Sequence, residues 1–204
     1  MAKGLLCVLF IFVGLACGLF PLTSTAGTIV YEESFTAAGT VNGTPFDGTV
    51  TFMFRSDTTL VFGNCEGTAG MFCTPNGVAS FSIQGIGAGQ FTDPFFVFDN
   101  QNIQAVGFSD AALDDVLDLG NATFATYNLK SAIGPLNSTT YSFTDTGQPL
   151  GSSLGEIVID SVSGTPRFTA VASNAQSIPE PASFTLFGSG VVGLAAVFRR
   201  KLRL

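Results

Sequence analysis

Thr49-Val50-Thr51-Phe52-Met53-Phe54 is the stretch that decides the fold, because bulky apolar residues occupy positions 50, 52 and 54. An apolar residue at every second position is typical of a strand with one buried face. The same period recurs at the runs 79–83, 122–127, 141–144, 156–160 and 167–171. We therefore predict several antiparallel strands in the part of the chain around this stretch.

Turn residues separate these runs and set the predicted architecture. Gly, Pro and Asn cluster at the segments 42–45, 74–77, 85–89, 134–135 and 147–149. Short strands divided by such turns predict an all-β fold, an antiparallel β-sandwich or jelly-roll-like domain. The chain has 21 Phe, three Tyr and no Trp, so we expect phenylalanine to supply most of the core.

One segment departs from the alternating pattern. Residues 109–120 carry apolar residues at 112, 113, 116 and 117, an Asp near the start and a Gly at the end. This spacing predicts one short capped helix. Its carboxylates, Asp110, Asp114, Asp115 and Asp118, are a weak candidate for Ca²⁺. A solvated acidic helix face is the simpler interpretation, so we predict no cofactor.

The composition excludes several classes of function. The 204 residues include no histidine, which removes Ser-His-Asp triads and His-ligated zinc sites. Between residues 27 and 177, three cations face fourteen acids, a net charge of −11 against −7 for the whole chain. Nucleic acid is not an expected partner, because phosphate binding needs clustered Lys and Arg.

The N-terminus has the organisation of a secretory signal. Lys3 precedes an uncharged apolar run from 4 to 20, and small residues follow up to Ala26. We predict a signal peptide at 1–26, export by the Sec machinery and cleavage by signal peptidase between Ala26 and Gly27. An uncleaved N-terminal anchor is the alternative. Either interpretation places the following domain, 27–177, across a membrane.

The C-terminus combines three features in a fixed order. Pro179-Glu180-Pro181 precedes an apolar stretch, 182–198, and a basic tail at 199–204 follows. The stretch is 17 residues long, near the lower limit for a transmembrane helix. Four cations in the tail keep it cytoplasmic and stop the helix: Arg199, Arg200, Lys201 and Arg203.

This order resembles the PEP-CTERM sorting signal of Gram-negative bacteria. The resemblance covers 178–204 and implies recognition of Pro179, Glu180 and Pro181 by an exosortase, a membrane protease/transpeptidase that processes its substrates near this motif. It implies a protein that crosses the inner membrane, is held transiently by its C-terminal helix, and reaches the cell surface or extracellular matrix. Similar tails are also named after ice-binding proteins, a name that describes the tail alone. A plain tail anchor is the alternative.

Two further motifs lie in the body of the chain. Cys65 and Cys73 are the two cysteines outside the signal, and in an oxidising compartment we expect them to form a disulfide that pins a hairpin. The segment 151–155 spells G-x-S-x-G, but without a histidine base we interpret it as a turn.

These features predict a non-enzymatic, exosortase-processed surface or matrix protein, structural or adhesive, and by resemblance associated with exopolysaccharide or biofilm. A Ca²⁺-assisted carbohydrate-binding module is the alternative, which the lack of Trp disfavours. A hydrolase is less favoured still, because any acidic surface carries carboxylates near one another, and such a pair is no sign of a catalytic site.

Overall fold

The computed structural model describes residues 27–110, 114–143 and 147–173. Within these ranges the chain forms two antiparallel sheets packed as a sandwich, and contains no α-helix. The predicted all-β sandwich is therefore confirmed. The strands, in chain order, are β1 (Thr28–Val41), β2 (Thr44–Asp57), β3 (Phe62–Gly63), β4 (Met71–Thr74), β5 (Gly77–Ile83), β6 (Gly87–Gln90), β7 (Phe95–Asn100), β8 (Ala105–Asp110), β9 (Asp114–Gly120), β10 (Ile133–Asn137), β11 (Thr140–Phe143), β12 (Pro149–Leu150) and β13 (Ile157–Ser173).

The larger sheet, sheet A, has the order β10-β13-β1-β2-β5-β6, with β12 also paired to β13. Strands β1 and β2 form a long hairpin whose last pair is Val41 with Thr44. Asn42 and Gly43 connect them, and both have positive φ, 47° and 78°. A two-residue turn with this geometry matches the right-handed twist of the flanking strands, which explains the Asn-Gly sequence.

The second sheet, sheet B, has the order β11-β9-β8-β7-β4-β3. The space between the sheets is filled largely by phenylalanine, as predicted. The fully buried Phe52 ring lies 5.1 Å from the rings of Phe35 and Phe91 and 6.2 Å from that of Phe108. Because Phe52 belongs to sheet A and Phe108 to sheet B, this cluster joins the two layers.

The predicted helix at 109–120 is wrong. Its described residues belong to β8 and β9, which pair with each other across a register shift after Phe108. The shift leaves Val116 as an extra residue, and both Val116 and Leu117 are buried. Two adjacent buried residues break the period of two and imitate helical spacing.

The predicted strand at 122–127 is also wrong. Ala122–Thr126 is a 3-10 helix, and the Asn121 side chain accepts a hydrogen bond from the Thr123 amide at 2.9 Å. This cap gives the backbone a local partner that competes with strand pairing.

Three other predictions change in detail. The runs 156–160 and 167–171 belong to one 17-residue strand, β13. Gly134-Pro135 lies inside β10, at a register shift, instead of in a turn. The segment 85–89 is a turn only at its start, because β6 begins at Gly87.

Candidate functional site

The two ends of the described chain lie side by side. Thr28, at the start of β1, pairs with Ser173, at the end of β13. The Gly27 carbonyl accepts a hydrogen bond from the Thr58 amide at 3.0 Å, just beyond the end of β2. The predicted cleavage site and the C-terminal segment therefore leave the sandwich from the same end, which we call the terminal end.

The predicted recognition and membrane residues lie outside the described part of the chain. These are Ala26 on the N-terminal side, and Pro179, Glu180, Pro181, the stretch 182–198, Arg199, Arg200, Lys201 and Arg203 on the C-terminal side. Gly27 is the first described residue. None of the described segments is a helix with the length and apolar character that crossing a bilayer requires.

The four aspartates of the weak Ca²⁺ candidate lie on neighbouring strands. Asp110 is directly opposite Asp114 in the β8–β9 ladder, and Asp115 is opposite Ser109. The Ser109 hydroxyl donates to Asp115 Oδ1 at 2.6 Å. Among the described side chains, no three His, Cys, Asp or Glu residues are grouped closely enough to hold a metal ion.

Besides Asp110, the described residues include two more carboxyl groups inside the sandwich, Glu33 and Asp99, which the sequence did not indicate as candidate site residues. Glu33 follows Tyr31 and precedes Phe35 on the inward face of β1, and Asp99 has the equivalent position after Val97 on β7. Neither oxygen of either carboxyl group has a hydrogen-bond partner. The period of two alone places both residues inside, so this signal was present in the sequence.

Burial changes the protonation of these carboxyl groups. Desolvation raises the pKa of Asp99 to about 8. Desolvation also raises the pKa of Glu33 well above its usual range, and the charge of Asp118 raises it further. The pKa of Asp118 itself rises to about 7, through desolvation and the nearby Asp115. Burial therefore favours the neutral form of all three carboxyl groups.

Cys65 and Cys73 form the predicted disulfide, with Cα atoms 5.7 Å apart. It closes the β3–β4 hairpin at the edge of sheet B, where Phe62 pairs with Cys73. Both sulfurs pack in a small cluster with Met71 and Phe98. The bond thus links the edge hairpin to the side chain layer that covers β7.

The segment Gly151–Gly155 is held as a turn by its own hydroxyl groups. Ser152 Oγ donates to the Gly155 carbonyl at 2.6 Å, and Ser153 Oγ accepts from the Gln90 amide at 3.0 Å. The Gly151 amide donates to Asp93 Oδ2. Both serines therefore serve as backbone partners here, and the strand-turn-helix context of a nucleophile elbow is not present at this segment.

Two surface features remain. A cavity of about 240 Å³ opens between the β4–β5 turn and the segment before β7, lined by Phe54, Val78, Phe91 and Asp93. On the outer face of sheet A, Ser34, Thr51 and Ser82 are neighbours in register across three strands. Their hydroxyl groups form a row with the inter-strand spacing of about 4.8 Å.

The comparisons with known proteins give one match. A family model described as a PEP-CTERM protein-sorting motif matches residues 177–201. No curated protein and no solved structure matches the chain.

Proposed function

We propose that this chain, whose PEP-CTERM protein-sorting motif marks it as an exported, cell-surface sorted protein processed by an exosortase, is a structural or adhesive component of the surface or extracellular matrix. In this proposal the β-sandwich is non-enzymatic and works beside exopolysaccharide. The proposal rests on one observation: the same chain combines a sorting motif with a β-sandwich that has a hydroxyl-rich outer face.

The outer face of sheet A supports adhesion to a polysaccharide. Ser34, Thr51 and Ser82 present donors and acceptors in one row, and Thr36 lies opposite Thr49 two residues further along β1. Sugar hydroxyl groups exchange hydrogen bonds with such a row as readily as water does, so each contact is weak. Many chains sorted to one surface would then adhere through many weak contacts.

The interior supports a long-lived module. Phe52 and its ring neighbours fill the space between the sheets, and the disulfide closes the edge hairpin of sheet B. A disulfide of this kind suits an oxidising extracellular compartment. The net charge of −11 between residues 27 and 177 keeps such a domain soluble after release.

The adhesive role is tested by retention of the mature protein on purified exopolysaccharide from the producing strain. The variant Ser34→Ala/Thr51→Val/Ser82→Ala removes the hydroxyl row, and we expect retention to fall several-fold. Thr68→Val, at an exposed site in the Cys65–Cys73 loop, is the matched control. Equal retention of both variants would reject the outer face of sheet A as the adhesive surface.

Two additions to this experiment separate the other interpretations. Retention that disappears with a chelator and returns with Ca²⁺ would favour the carbohydrate-binding module. Shortening of the polymer during incubation would favour a hydrolase. Sorting is tested independently by the intact mass of the mature protein with and without the exosortase, which should differ by a cut near Pro179–Pro181.

A further inference from the structure

Two of the three cations between residues 27 and 177 lie on the outer face of sheet A. Arg55 on β2 and Arg167 on β13 are both exposed. Their chain neighbours Phe54 and Phe168 are buried in the core, so the alternation of the strand turns both arginine side chains outwards. Since the domain already has a net charge of −11, solubility does not explain two arginines on this one face.

Arg167 continues the hydroxyl row of the same face. Register places Arg167 opposite Ser34 on one side and opposite Asn137 on the other. Thr51 and Ser82 continue the row on β2 and β5. The row thus crosses five neighbouring strands and, at a strand spacing of about 4.8 Å, is about 19 Å long. A guanidinium group therefore lies in line with hydroxyl and amide groups.

The middle of this face has the opposite charge to the domain as a whole. Glu32 lies in the row between the two arginines, where it is opposite Thr169 and Met53. Two arginines against one glutamate give this region a charge of +1, whereas the domain carries −11. At physiological salt, charges more than about 8 Å away are largely screened. This region therefore favours an anionic partner.

Both guanidinium groups are available to a ligand. Neither forms an ion pair or a hydrogen bond with another residue in the described part of the chain. A guanidinium group presents paired N–H donors that match the two oxygens of a carboxylate. By strand spacing and rise, Arg55 and Arg167 are about 16 Å apart along the face. They can therefore hold two separate carboxylates of one polymer.

We propose that the outer face of sheet A binds a polysaccharide that carries carboxylate groups. Arg167 and Arg55 each hold one carboxylate, and the hydroxyl row exchanges hydrogen bonds with the sugar hydroxyl groups. The inference rests on the proposed adhesive role and names the class of polymer. A neutral polymer gains nothing from the arginines, so they make the face selective. Each contact is exposed and weak, but a polymer with many carboxylates engages both arginines at once.

The test is retention of the full chain on immobilised polygalacturonate and on the same polymer after chemical reduction of its carboxyl groups. A neutral detergent keeps the chain dispersed, and a chelator prevents Ca²⁺ from bridging acidic protein and acidic polymer. At about 0.15 M salt, where remote charges are screened, we expect several-fold stronger retention on polygalacturonate.

Three single substitutions assign the effect to the face. Arg167→Gln should lower retention on polygalacturonate about fivefold, because one exposed bidentate contact is lost. Arg55→Gln should lower it less, since Arg55 lies outside the hydroxyl row. Lys130→Gln is the matched control, because it removes the third cation of the domain from an exposed site between the 3-10 helix and β10. It changes the net charge equally and should leave retention unchanged.

Glu32→Gln provides a gain of binding that loss of folding cannot imitate. It removes the negative charge between the arginines, so retention on polygalacturonate should rise about twofold. Equal retention on the two polymers, no retention on polygalacturonate, or an equal loss in Arg167→Gln and Lys130→Gln would overturn the inference. The adhesive role is judged separately on exopolysaccharide. Loss of that retention in the triple hydroxyl variant but not in Arg167→Gln would keep the role and reject the carboxylates.

Discussion

Sheet A and sheet B bury their side chains in different ways. In β1 of sheet A, buried residues alternate with partly exposed ones from Ile29 to Val41. In sheet B all six residues of β8 are buried. By register, Val97 and Phe108 face one side of sheet B, while Cys73, Phe98 and Gly107 face the other. Sheet A is thus covered on one side, whereas the middle of sheet B is covered on both.

This difference explains where polar groups are placed. Sheet A keeps most of its serine and threonine residues on the open face, buries Ser56, and admits one carboxyl group, Glu33, to the interior. In sheet B, Asp99 and Asp110 are buried although both belong to central strands. A sheet covered on both faces has no exposed position for such residues, so the protonation of Asp99 becomes part of the stability of the fold.

The largest expected effect is a loss of stability as the pH rises from about 4 to about 8. The pKa of Asp99 is about 8 in the folded protein and about 4 when unfolded, so the folded state holds the proton more tightly. The free energy of unfolding is therefore highest below pH 4 and falls as pH rises towards 8. At about 1.4 kcal/mol per pKa unit, Asp99 contributes a fall of at most about 6 kcal/mol.

Urea unfolding between pH 4 and pH 9 measures this fall, and Asp99→Asn should flatten it. Asp160→Asn, at an exposed site on β13, is the matched control. If the parent and Asp99→Asn lose the same free energy over this range, the buried carboxyl group of sheet B is not the cause.

The next largest effect concerns the core between the sheets. Phe52→Ala removes a fully buried ring that contacts Phe35, Phe91 and Phe108. We expect the free energy of unfolding to fall by about 3 to 5 kcal/mol. Phe62→Ala, at the half-exposed edge of sheet B, should cost less than about 1 kcal/mol. Comparable losses in the two variants would mean that the edge hairpin contributes as much to the free energy of unfolding as the centre of the core.

The disulfide should matter less than the core. Cys65→Ser/Cys73→Ser opens a loop with a sequence separation of eight, and the chain-entropy estimate for such a loop is about 2.5 kcal/mol. Chemical denaturation of the double variant, compared with the parent under a reducing agent, gives the effect of the bond and of the serines separately. An unchanged midpoint in both would show that packing alone holds β3 and β4.

The smallest effect is expected at the 3-10 helix. Asn121→Ala removes the cap on the Thr123 amide and the bond from Asn121 Nδ2 to the Asn137 carbonyl. We expect a loss of about 1 kcal/mol. Asn137→Ala, which keeps that carbonyl, is the control, and thermal unfolding compares the two. A larger loss in the control would mean that the cap does not stabilise this segment.

The difference between the two sheets also explains which strands the sequence pattern could identify. The run at 49–54 identified β2 because one face of sheet A is open, and the same logic found β5 and both halves of β13. It failed at β9, where a bulge places Val116 and Leu117 in succession inside the protein. The same logic failed again at 122–126, where the alternating residues form a 3-10 helix capped by the Asn121 side chain.

The candidate sites divide in a similar way. The sorting motif could be recognised in the sequence because recognition of an extended segment depends on residues that are adjacent in the chain. The family match covers that segment. The closeness of the two ends of the described chain could not be recognised, since Thr28 and Ser173 become neighbours only through the register of β1 and β13.

The sequence by itself determined the sorting motif at the C-terminus, the all-β class, the Phe-rich core and the Cys65–Cys73 pair. Each of these depends on local order, on composition or on the two cysteines left outside the predicted signal. Only the tertiary structure decided that the buried carboxyl groups of Glu33 and Asp99 have no hydrogen-bond partner, that β9 is a strand, and that both ends of the described chain lie at the same end of the sandwich. These features depend on which strands become neighbours, and that pairing is set by the packing of the whole domain.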